Sequence, residues 1–146
     1  MGSEGRPEDI DEEVRRILMR RMMQRLGGKK EEKGVINVKS VTEFDNYLKK
    51  ATEEHRLVLV DFWAPWCMPC VIMAPVYEQV ARKYSDKAYF LKVNVDEIPE
   101  LAMRYQIMSI PTLIAFWRGE MLDLRIGAMP RHLLERWIQS LLHKIR

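Results

Sequence analysis

Leu57-Val58-Leu59-Val60-Asp61-Phe62-Trp63 is a near-continuous apolar run, broken only by Asp61. An alternating run would mark a strand with one wet face. A continuous one marks a strand covered on both faces, which calls for helices above and below a sheet. Four residues past its end stand the chain's two cysteines, in Cys67-Met68-Pro69-Cys70.

The surrounding pattern supplies the covering layers. Ile36 to Val38 reads as a short strand. Ser40 with Glu43 forms a capping box that opens a helix with Val41, Phe44, Tyr47 and Leu48 on one face. A helix is expected from Cys67 to Tyr84, with a kink at Pro75. Ala88 to Val95 is a second buried strand, and Pro99 to Tyr105 a short helix. Thr112 to Trp117 and Met121 to Ile126 form a hairpin across Arg118-Gly119, where Gly119 can supply positive φ. Arg131 to Arg146 is a final amphipathic helix carrying Leu133, Leu134, Trp137, Ile138, Leu141 and Leu142. The order β-α-β-α-β-α-β-β-α, with right-handed crossovers, gives an α/β fold of three layers around a mixed five-stranded sheet.

Residues 1–34 read as an appendage to a domain over 35–146. Pro7 can open a helix, with Glu8, Asp9, Asp11, Glu12 and Glu13 at its positive end. Ile10, Val14, Ile17, Leu18, Met22 and Leu26 recur at helical spacing, although Arg21 falls inside the stripe. Gly27-Gly28 should stop this helix, and Lys29 to Gly34 reads as a charged linker. It can pack on the domain, dock another protein or a second copy, fray, or lie on a membrane surface. A partly ordered helix without a catalytic role is the preferred expectation.

Composition narrows the function. Among 146 residues, a net charge of +3 with acids balancing most bases speaks against a nucleic-acid binder. No stretch approaches the roughly 18 apolar residues of a spanning helix. No basic start and apolar run marks a secretory signal, so a soluble cytoplasmic monomer is expected. A disulfide scaffold needs more cysteines than two, and a structural zinc site needs ligands that the scattered His55, His132 and His143 do not supply. The pair is then a redox centre or an accident of composition, and the redox reading is preferred.

Its position suits that chemistry. The nucleophile in disulfide exchange is the thiolate, and a helix N-terminus offers unpaired N–H groups and partial positive charge to stabilise it. Pro69 fits the first turn because the N–H it lacks has no helical partner there. Cys67, at the extreme end, should be the more exposed and attack. Cys70, one turn in, should resolve the mixed disulfide.

The stretch Val60-Asp61-Phe62-Trp63-Ala64-Pro65-Trp66-Cys67-Met68-Pro69-Cys70 resembles the thioredoxin family, whose usual centre reads Trp-Cys-Gly-Pro-Cys. Met73-Ala74-Pro75, Val93-Asn94-Val95-Asp96, Ser109-Ile110-Pro111-Thr112 and Gly127-Ala128 match in the family's order, from Val35 to Arg146. The resemblance implies the thioredoxin fold and a role for Asp61 beneath the cysteines, where burial raises its pKa and lets it move the resolving thiol's proton. It places Lys92 near Asp61, and it makes Ile110-Pro111 a cis bond opposite the cysteines. Trp66, Ile110, Pro111, Gly127 and Ala128 would then bind substrate, the Ile110 backbone pairing with it like an added strand.

The resemblance further implies no bound cofactor, protein disulfides as substrates, and recharging of the pair by a thioredoxin reductase that uses flavin and NADPH. Two departures bear on direction. Met68 replaces the usual Gly, which alters redox poise together with Pro69, and Val71 stands where many members have Lys. The leading reading is a protein-disulfide reductase. The alternatives are a disulfide oxidase or isomerase, or an adaptor that keeps the fold without the chemistry.

Overall fold

A computed structural model of the chain describes residues 7–26 and 34–146, and the side chains of 12–21 and 34–146. The chain divides into two compact units, Met1–Glu32 and Lys33–Arg146. The first contains α1 (Pro7–Leu26), whose described side chains, Glu12 to Arg21, are all exposed. The expected stop at Gly27-Gly28 and the linker over 29–33 lie outside the described residues.

The second unit runs β1 (Val35–Asn37), α2 (Val41–Glu54), β2 (Leu57–Trp63), α3 (Met68–Lys83) and β3 (Ala88–Asn94). It continues with α4 (Pro99–Arg104), β4 (Thr112–Trp117), β5 (Glu120–Ile126) and α5 (Arg131–Lys144). The strands form one mixed sheet in the order β1-β3-β2-β4-β5. β1 and β2 pair with β3 in parallel, while β4 runs antiparallel to both β2 and β5.

The apolar run that suggested a doubly covered strand is β2, at the sheet's centre. Its residues alternate between two cores, as the period of two requires. Val58, Val60 and Phe62 pack with Phe44, Tyr47 and Leu48 of α2 and Leu101 of α4. Leu57 and Leu59 pack with Met73, Tyr77 and Val80 of α3 and Leu134, Trp137 and Ile138 of α5. Asp61 continues the Leu57–Leu59 side, so the one acid of the strand faces the layer that contains the cysteine helix. Lys92 sits in register beside it on β3.

Local signals set the element ends. Ser40 caps α2, its Oγ accepting from the Glu43 amide at 3.0 Å. The reciprocal bond runs to Glu43 Oε1 from the Lys39 amide, one residue before the cap. At the β4–β5 turn Gly119 has φ +82°, as expected, but Arg118 is also left-handed at +55°. A two-residue hairpin matching the strands' twist needs positive φ at both positions. Pro75 lies inside α3.

Candidate active site

The turn between β2 and α3 brings the cysteines to the C-terminal end of the central strand. Cys67 is the N-cap of α3, with extended backbone (φ −91°, ψ 106°), and its Sγ accepts from the Cys70 N–H at 3.3 Å. Pro69 occupies the first turn. Cys67 and Cys70 are joined as a disulfide with their Cα atoms 5.3 Å apart. Both are buried, Cys67 at 6% exposure and Cys70 at 1%. Cys67 is thus the more accessible in rank only, because Trp63, Val95 and Ile110 pack over the pair.

The Ile110–Pro111 bond is cis. It sets the Ile110 carbonyl oxygen 3.7 Å from Cys67 Sγ. Pro111 is buried, and its carbonyl accepts from the Gly127 N–H at 2.8 Å. Gly127 holds φ +99°, where a side chain is strained although space is open around it. Ala128, beside it, is exposed. Trp66 is exposed too, its indole N–H donating to Asp96 Oδ2 at 2.9 Å, while Asn94 Oδ1 accepts from the Asp96 and Glu97 amides.

A groove of about 690 Å³ opens beside Cys67. Of the residues expected to bind substrate, Trp66 and Ile110 line it, together with Met68 and Pro69. Pro111, Gly127 and Ala128 do not. The remaining apolar wall, Val95, Ala102, Ile107 and Met108, was not anticipated from sequence. These residues come from a strand end, a short helix and a loop, and no single periodicity links them. No lining residue carries a charge; the polar side-chain groups are the Ser109 hydroxyl and the Trp66 indole N–H, which is already bonded to Asp96.

Asp61 is fully buried, and among the described residues neither of its carboxylate oxygens has a hydrogen-bond partner. Burial pushes its pKa up to about 7, with the nearby Lys92 charge working in the opposite direction. Lys92 is itself buried, and its ammonium lies 4.1 Å from the centre of the Trp63 ring. Tyr77 of α3 is a further buried polar group. Its hydroxyl lies 2.8 Å from the Leu91 carbonyl and 3.1 Å from that of Leu59, and burial followed by the Asp61 charge holds its pKa well above the usual value. Among the described residues no group of three or more His, Cys, Asp or Glu could hold a metal ion.

The family model for thioredoxin matches residues 35–140. Thioredoxin M4, chloroplastic, of Arabidopsis thaliana is 47% identical over 93 residues, which are 64% of this chain and 48% of that protein. The thioredoxin of Alicyclobacillus acidocaldarius is 44% identical over 103 residues, covering 70% of this chain and 98% of its relative. Among solved structures, reduced Schistosoma mansoni thioredoxin pre-protein superposes with a TM-score of 0.66 at 35% identity, over 73% of this chain and 96% of that one. The family match takes in all five strands together with the cysteine turn. The chain therefore belongs to the thioredoxin family, and it is a thiol–disulfide oxidoreductase whose dithiol is Cys67 and Cys70.

Proposed function

We propose that this protein reduces disulfides in other proteins, with Cys67 attacking and Cys70 resolving. The observation that carries this reading is the Cys70 N–H bond to Cys67 Sγ at the first turn of α3. That bond and the helix end both favour charge on Cys67 over charge on Cys70. The Cys67 thiolate attacks one sulfur of a substrate disulfide, forming a mixed disulfide and releasing a substrate thiolate. Cys70, once deprotonated, attacks Cys67 Sγ; the second substrate thiolate leaves and the Cys67–Cys70 disulfide closes. Two electrons pass to the substrate, and two protons complete its thiols.

Asp61 handles the Cys70 proton. A pKa near 7 suits a group that must both take and give a proton near neutrality. Lys92 tunes Asp61 by its charge, and Met68 and Pro69 tune the poise of the pair. Trp66 and Ile110 contact the substrate chain, which pairs with the Ile110 backbone beside Cys67. Pro111, Gly127 and Ala128 shape the edge behind it, through the Gly127–Pro111 hydrogen bond.

A thioredoxin reductase using flavin and NADPH returns the pair to the dithiol. One chain carries both cysteines and the groove, so a monomer suffices. Among the described residues no helix is long and apolar enough to cross a membrane. The cytoplasmic placement expected from sequence is narrower than the relatives support, since a chloroplastic protein stands beside a bacterial one. The proposal is therefore a reducing compartment. Insulin reduction driven by dithiothreitol tests the reading: turnover lost in Cys67→Ser supports it, and equal turnover in that variant contradicts it.

A further inference from the structure

Met68 and Met108 stand on the groove beside Cys67, exposed at 64% and 93%. Both side chains carry a nucleophilic thioether. Cys67 and Cys70 are joined as a disulfide and buried. In this state their sulfurs have no thiolate to offer an oxidant. The accessible nucleophilic sulfurs at the site are therefore those of the two methionines.

We infer that Met68 and Met108 form an oxidation site that throttles the oxidoreductase under peroxide. The inference rests on the proposed reduction of protein disulfides at this groove. The thioether lone pair attacks one oxygen of hydrogen peroxide and the O–O bond breaks. The sulfur gains that oxygen as a sulfoxide, losing two electrons, and the peroxide's other oxygen leaves as water. The product is a polar, chiral group in place of a flexible apolar one.

The consequence follows from the lining. The groove carries no charged side chain, one hydroxyl and an indole N–H already engaged by Asp96, so it has little with which to satisfy a sulfoxide oxygen once substrate excludes water. Docking weakens although neither cysteine is itself oxidised. The effect is a rise in KM, with kcat/KM falling on the order of tenfold. The change is reversible by sulfoxide reduction.

Met103 provides an internal control. It is 76% exposed on α4, more open than Met68, yet it does not line the groove. Oxidation there should leave turnover alone.

The experiment treats the full-length disulfide form with hydrogen peroxide, removes the oxidant, and maps added oxygen on each methionine by peptide mass spectrometry. Insulin reduction is then compared with each protein's own untreated rate. Expected is oxygen on Met68 and Met108, an about tenfold higher KM in the wild type, and retention of KM in the Met68→Leu/Met108→Leu variant. Met103→Leu should protect nothing. Equal loss in the double variant, loss carried by kcat, or full activity with both methionines oxidised would overturn the inference. Absence of insulin reduction in untreated protein would instead contradict the proposed function.

Discussion

Asp61 and Lys92 are register partners on adjacent parallel strands, yet the Lys92 ammonium rests over the Trp63 ring and neither Asp61 oxygen has a hydrogen-bond partner among the described residues. The cation is near enough to moderate Asp61 electrostatically without satisfying it. Burial dominates, and the carboxyl titrates at about 7 instead of its ordinary 3.8. The folded protein thus holds a proton that the unfolded chain has released. Stability from this group is fully present below pH 4 and falls as pH rises toward 7, by up to about 4 kcal/mol. Urea unfolding of the disulfide form at pH 5 and pH 8 should show this loss, and Asp61→Asn should flatten it. Identical pH slopes in the two proteins would remove Asp61 as its source.

Removing the moderating charge should move the same titration. In Lys92→Met the Asp61 carboxyl should titrate above its wild-type value, since the one effect lowering it is gone. Lys92→Arg should restore it in part. Carbon-13 NMR of the carboxyl reads the shift directly, and an unmoved midpoint in Lys92→Met would mean the cation does not act on Asp61.

Tyr77 places one hydroxyl proton between the Leu59 and Leu91 carbonyls inside the core shared by α3 and the sheet. Tyr77→Phe keeps the ring and deletes the donor, which should cost about 1 kcal/mol of stability. The urea midpoint should fall with an unchanged m-value. A midpoint that stays in place would show the hydroxyl to be dispensable.

Among the described residues, the buried members of both cores lie between Ile36 and Leu141. A chain of residues 33–146 should therefore unfold in one cooperative step and reduce insulin. Loss of cooperativity in that fragment would mean that residues 1–32 contribute to the fold.

The central strand was legible because a run whose one polar residue is Asp61 leaves no wet face, and the cysteine helix because Pro69 and the pair mark its first turn. Ser40 and Glu43 announced α2 by a bond that forms within four residues. What stayed hidden depends on distant partners. Arg118 takes a left-handed conformation only because the β4–β5 twist imposes it, and nothing in its own type suggests so. The Lys92–Trp63 contact joins β3 to β2 across the sheet. Met108 becomes a wall of the groove only when its loop is carried alongside Trp66 and Met68. The near-equal burial of the two cysteines likewise arises from Val95 and Ile110, which pack over the pair from elsewhere in the chain.

The proposed division of labour has Cys67 attack and Cys70 resolve. Cys70→Ser, reduced and mixed with a disulfide-bonded protein such as insulin, should accumulate one covalent adduct by intact mass. Peptide mapping should locate it on Cys67, and dithiothreitol should release it. The Cys67→Ser variant under the same conditions should stay largely unmodified, because Cys70 is almost wholly buried. Adducts on Cys70 in Cys67→Ser, with none in Cys70→Ser, would contradict the account.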